Sequence, residues 1–111
     1  MGGGGSLKAR RAARIKVELV VPVGFVGSSQ SLSADLATLS PYGLFARTRR
    51  EVKSGTVLRV GIAVGHVTFR ATAGVRHSEA GVGFAVEFIQ MTSNDRALLR
   101  RLCLQLSPAP P

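Results

Sequence analysis

The chain has 111 residues, with 15 basic against 6 acidic and a formal charge of +9. That length suits one domain, and the charge calls for an anionic partner: nucleic acid, a nucleotide, an acidic protein or an anionic membrane face. The single cysteine, Cys103, excludes an internal disulfide. No apolar run is long enough to span a membrane or resembles a signal peptide, so the expected location is the cytoplasm.

Residues 1–7 are expected to form a flexible Gly-rich tail. Its start matches a myristoylation pattern but reads more simply as a linker. A basic cluster follows, Lys8-Ala9-Arg10-Arg11-Ala12-Ala13-Arg14. Twelve of the 15 basic residues are Arg, which offers a planar fork of donors where Lys offers a point charge.

From residue 15 to 26 apolar residues alternate at first, Ile15, Val17 and Leu19 against Lys16 and Glu18, which predicts a half-buried strand. Residues 28–34 read as a polar loop. Residues 37–40 form a short strand, Pro41-Tyr42-Gly43 a turn, and residues 44–48 a further strand. After a turn at Lys53-Ser54-Gly55, residues 56–64 alternate with Leu58, Val60, Ile62 and Val64 on one face. Gly65 marks a reversal. A long strand with Val67, Phe69, Ala71, Ala73 and Val75 on one face comes next, then a turn at Glu79-Ala80-Gly81. Phe84, Val86 and Phe88 define a sixth strand. Short strands with regular turn signals predict an all-β barrel or sandwich.

The period changes after Thr92. Leu98, Leu99, Leu102, Cys103 and Leu106 follow helical spacing, opposite Arg96, Arg100 and Arg101. Thr92 and Asp95 are spaced as an N-terminal cap. One amphipathic helix is therefore expected to cover an end or side of the β structure. Residues 107–111, rich in Pro, are expected to be disordered.

Catalysis has little support. His66 and His77 share no spacing with a nucleophile or metal ligand, and the six carboxylates form no acid–base pair. Cys103 sits on the apolar stripe of the helix and reads as a buried structural thiol. Gly81-Val82-Gly83 precedes a strand and lacks the spacing of a phosphate loop. No metal site or cofactor is expected, and the chain does not read as an enzyme.

Two features remain: the arginine cluster and the segment Thr38-Leu39-Ser40-Pro41-Tyr42-Gly43. In an extended segment Thr38 and Ser40 share a face. Gly43 suits a positive φ or the close approach of a ligand.

In this order and setting the chain resembles the PilZ domain family, bacterial receptors for the second messenger cyclic di-GMP. The family pattern is R-x-x-x-R before the first strand and [D/N]-x-S-x-x-G at a later turn. Arg10 and Arg14 fit the first motif, with Arg11 as an additional arginine. Ser40 and Gly43 fit the second. Gly83-Phe84-Ala85-Val86-Glu87-Phe88 resembles the family's last strand, and the residues from Ser93 to Leu99 the start of its helix. The resemblance implies one domain over residues 8–106, a six-stranded antiparallel β-barrel with one C-terminal α-helix. It implies that Arg10, Arg11 and Arg14 grip guanine and phosphate, that Ser40 hydrogen-bonds the ligand and that the Gly43 backbone lies against it. Binding would order the arginine segment and signal to an effector protein that the sequence does not name.

One position departs from the pattern. Thr38 stands where the family has an acid or amide that hydrogen-bonds a guanine edge. Losing one charge-assisted bond costs on the order of 1.5–3 kcal/mol. Asp35 lies three residues earlier and in a regular strand points to the other face. The departure leaves open a degenerate PilZ-like interaction module that does not bind cyclic di-GMP. A general nucleic-acid binder fits the charge, but the chain lacks interleaved aromatics for base stacking, so no specific nucleic acid is expected.

Overall fold

The computed structural model describes residues 15–16, 22–27 and 31–106. Seven strands precede one helix: β1 (Ile15–Lys16), β2 (Pro22–Val26), β3 (Ser31–Ser40), β4 (Gly43–Arg47), β5 (Val57–Val64), β6 (Val67–Glu79), β7 (Gly83–Gln90) and α1 (Ser93–Leu106). The expected tails, 1–7 and 107–111, and the basic cluster lie outside the described residues.

The circuit runs β3-β2-β5-β6-β7-β4 and returns to β3, so six antiparallel strands close into a barrel. Closure pairs both edges of every strand in the ring and removes the open edges that invite aggregation. β1 adds two residues to β3 beside β2: Ile15 pairs with Leu39 and Lys16 with Thr38.

Side-chain alternation fills the interior. Leu58, Val60 and Ile62 of β5, Val67, Phe69 and Ala71 of β6, and Phe84 and Val86 of β7 are buried. The rings of Phe25 and Phe84 meet with centroids 4.9 Å apart and a tilt of 59°. Only five Phe and one Tyr occur in the chain, so most of the packing is aliphatic. Gly55, Gly65 and Gly81 have positive φ at the expected turns.

The expected polar loop over residues 28–34 is corrected. Residues 31–34 open β3, a strand of ten residues, and residues 28–30 lie outside the described set. Ser31, Ser33 and Asp35 face out while Leu32, Ala34 and Leu36 are buried. The segment is polar in composition because its outer face is polar; its period is still that of a strand. The long strand also extends further than expected, to Glu79.

Helix α1 starts where expected. The Asp95 backbone N–H donates to the Thr92 hydroxyl oxygen at 3.0 Å, the bond of an N-cap. The Asp95 carboxylate accepts from the Thr92 hydroxyl at 2.7 Å and from the Arg70 backbone N–H at 3.2 Å, which ties the helix start to β6. Leu99, Leu102 and Cys103 join the same hydrophobic core as the barrel strands. Burial pushes the Cys103 thiol pKa up to about 11. No helix among the described residues is long and apolar enough to cross a membrane.

Candidate functional site

The turn from β3 to β4 is organised by Ser40, the one buried polar residue among those described. Its hydroxyl oxygen accepts from the backbone N–H of Tyr42 at 3.1 Å and of Gly43 at 3.2 Å, and the hydroxyl donates to the Gly43 carbonyl at 3.4 Å. The first two bonds occupy both lone pairs, and the third, at 3.4 Å, is a long contact of the single donor. Ser40 thus sets the position of Tyr42 and Gly43.

Gly43 is required for a reason beyond those expected. Its φ is not positive. A Cβ there would overlap the Val86 carbonyl oxygen of β7. The glycine permits a close approach between two barrel strands, with Gly43 paired to Glu87. The β7 backbone is tied to the turn again by Phe88 N–H donating to the Tyr42 carbonyl at 2.8 Å.

Two β-bulges shape the outer wall on either side. In β3 the register against β4 shifts between Leu36 and Thr38. Leu36 pairs with Ala46 and Leu39 with Leu44, all four buried, whereas Asp35 pairs with Arg47 and Thr38 with Phe45. The extra residue, Ala37, puts Asp35 and Thr38 on the same outward face. The expectation that Asp35 points away held only for a regular strand, and β3 is not regular here.

In β6 the register against β7 shifts between Val75 and His77, leaving Arg76 as the extra residue. Val75 is buried and turns its backbone to the preceding loop, accepting from Gly55 N–H at 2.7 Å and donating to the Thr56 carbonyl at 2.8 Å. Arg76 reaches across to β7, where its Nε donates to Glu87 Oε1 at 2.7 Å.

Ser40, Tyr42, Gly43, Arg76, Ala85 and Glu87 surround a cavity of about 230 Å³ on this wall. It holds a cation, an anion and an exposed ring, Tyr42 being 48% exposed. The arrangement is equipped to hold a planar, polar, charged molecule by stacking and forked hydrogen bonds, and it holds no nucleophile and base in contact. Of the sequence-derived residues, Ser40 and Gly43 come together here. Thr38 lies two residues along the same strand, half-buried on the outer face beside Lys16 and Phe45. Arg10, Arg11 and Arg14 lie outside the described residues. Ile15, which follows Arg14 in the chain, pairs with Leu39, the neighbour of Ser40.

Sequence reading missed Arg76, Glu87 and Tyr42 as members of a site. One signal was available: Val75 is followed by two consecutive polar residues, Arg76 and His77, which breaks the alternation at the bulge. Nothing in the sequence marked Glu87 as opposite Gly43.

Other groups carry less. A cavity of about 340 Å³ lies beside Arg59, Arg70, Gln90 and Thr92, but its acidic member, Asp95, is already committed to the helix cap. His66 is exposed in a turn, and His77 lies 3.3 Å from Glu79 on the surface. Among the described residues no group of three or more His, Cys, Asp or Glu is placed to hold a metal.

Solved structures with the same fold include the PilZ domain of YcgR from Escherichia coli, determined with c-di-GMP. It is 16% identical, with a TM-score of 0.72 covering 87% of this chain and 90% of that one. The inhibitor of motility MotI/DgrA of Bacillus subtilis is 17% identical with a TM-score of 0.70, covering 86% of this chain. This chain spans 49% of MotI/DgrA, about half its length. The PilZ domain of CeSA from a cellulose-synthesising bacterium is 16% identical with a TM-score of 0.66, covering 85% and 97%. A comparison with curated proteins gave no match. The model of the PilZ domain family matches residues 8–105, nearly the whole chain and both motif regions, and the chain belongs to that family.

Proposed function

We propose that this domain is a non-catalytic receptor for cyclic di-GMP, in which the arginines before β1 close over the wall formed by β3, β4 and β7. The observation that carries the reading is the Ser40–Gly43 turn. It borders a polar cavity on the outer barrel wall, and β1 begins one pairing away from it. The chain leading into β1 carries Arg10, Arg11 and Arg14, whose guanidinium forks suit both phosphate oxygens and the O6 and N7 edge of guanine. The YcgR PilZ domain, solved with c-di-GMP, has the same fold.

In this reading Arg10 and Arg14 clamp a guanine and a phosphate, and Arg11 adds a further positive charge. Ser40 holds the turn, Gly43 lets β4 and β7 meet beneath the ligand, and Thr38 flanks it. Ligand binding orders the arginine segment, and the ordered segment presents a new surface to an effector protein. Titration calorimetry of the full chain at low salt is expected to give heat at tens of micromolar cyclic di-GMP. Arg14→Ala is expected to abolish that heat. Absence of heat from the folded wild-type chain contradicts the reading, and wild-type affinity in Arg14→Ala contradicts the site.

Two observations favour a second reading, an interaction module that no longer binds the nucleotide. Thr38 replaces the family's acid or amide, and the Ser40 hydroxyl oxygen already accepts two bonds within the turn. Thr38→Asp separates the two. The receptor reading expects measurable wild-type binding that Thr38→Asp strengthens; the module reading expects none in the wild type.

A further inference from the structure

We infer that Glu87 and Arg76 together read the edge of one guanine, with Glu87 supplying the carboxylate that Thr38 lacks; the inference rests on the cyclic di-GMP reading above. Around its edge guanine presents N7 and O6 as acceptors and then N1–H and N2–H₂ as donors. The complementary surface is a forked donor next to a forked acceptor. A neighbouring Arg–carboxylate pair has that form, and Arg76 and Glu87 form one with Nε and Oε1 2.7 Å apart.

The pair is joined through one atom of each group, and neither side chain makes another hydrogen bond among the described residues. The terminal guanidinium nitrogens and Oε2 thus remain open to a ligand. Both side chains are accessible, at 62% and 49% relative exposure. The cross-strand partners of Glu87 are Gly43 on β4 and Gly74 on β6, so neither partner carries a side chain that screens the carboxylate. Tyr42 lines the cavity and is 48% exposed, an aromatic ring on which a base can stack. Gly74 faces Glu87 across the β6–β7 pairing, and Arg76, two residues further along β6, shares that face.

A plain surface ion pair is the competing account, and such pairs contribute little. The recognition account makes a demand that the ion pair does not. The inosine analogue of the dinucleotide lacks only the N2 amine, so an acceptor at Glu87 distinguishes the two ligands. Calorimetric titrations of the full-length wild type and of Glu87→Ala are run with both ligands, with circular dichroism to check folding. The wild type is expected to prefer cyclic di-GMP over the inosine analogue by about tenfold or more. Glu87→Ala is expected to lose about tenfold or more in cyclic di-GMP affinity and to bind the two ligands equally. A folded Glu87→Ala that retains the wild-type preference, or weakens both ligands by the same factor, overturns the inference and leaves the receptor reading standing. Absence of cyclic di-GMP binding by the wild type overturns the receptor reading and this inference with it.

Discussion

At Gly43 the β7 backbone comes so close that a Cβ cannot be placed without overlapping the Val86 carbonyl oxygen. Since the obstacle is backbone, Gly43→Ala must part β4 from β7 or distort the Ser40 turn. The expected loss of stability is on the order of 3 kcal/mol, within the upper range for overpacking, read as a lower denaturation midpoint. Retention of the wild-type midpoint would show that the strands have room to spare. Residue-level reading singled out Gly43 from its motif position and allowed for a positive φ, which it does not have; the strand-to-strand approach joins distant segments and leaves no local trace. The same holds for Ser40. Its place in the motif was legible, whereas its three bonds within the turn depend on a geometry that a sequence does not display. Cys103 was legible in both place and state. Its thiol is raised from the ordinary 9.0 to about 11 by burial, so above pH 9 the folded state holds a proton that the unfolded state has released. Stability is therefore expected to be insensitive to this group below about pH 9 and to fall as the pH rises toward 11. Urea titrations across that range check the slope, using Cys103→Ala to isolate the thiol's share.

At the scale of elements, periodicity carried most of the fold. The alternation in β5, β6 and β7 and the switch to helical spacing after Thr92 were all readable, because inward and outward environments select residues position by position. Two things were not. The start of β3 was hidden by its serines, which are polar because they face outward. The bulges at Ala37 and Arg76 were hidden because one extra residue changes the face of everything beyond it without changing composition. The bulge at Ala37 matters for the site, since it aligns Asp35 with Thr38. The start of α1 has a simpler basis. Thr92 caps the helix and its hydroxyl also bonds Asp95, so Thr92→Ala is expected to cost about 1 kcal/mol. Thermal denaturation would register this as a lowered Tm, and an unchanged Tm would mean that packing of Leu99 and Leu102 alone holds the helix in place.

For the whole molecule, a closed barrel supplies a rigid outer wall, and the excess of arginine supplies the attraction for an anion. The barrel places the Ser40 turn, the Arg76–Glu87 pair and the start of β1 in one neighbourhood, although they come from distant parts of the sequence. A net charge of +9 alone would attract any polyanion in a salt-dependent way. A built site binds its ligand at one place, and location is therefore the property to measure. Amide chemical shifts of the labelled full-length chain, followed by two-dimensional NMR during a cyclic di-GMP titration at physiological salt, read that location directly. The account predicts saturable shifts centred on Tyr42, Gly43, Arg76, Ala85 and Glu87, with the amides of α1 unmoved. An unchanged spectrum at saturating ligand, or shifts centred on Arg59, Arg70 and Gln90 instead, would contradict it.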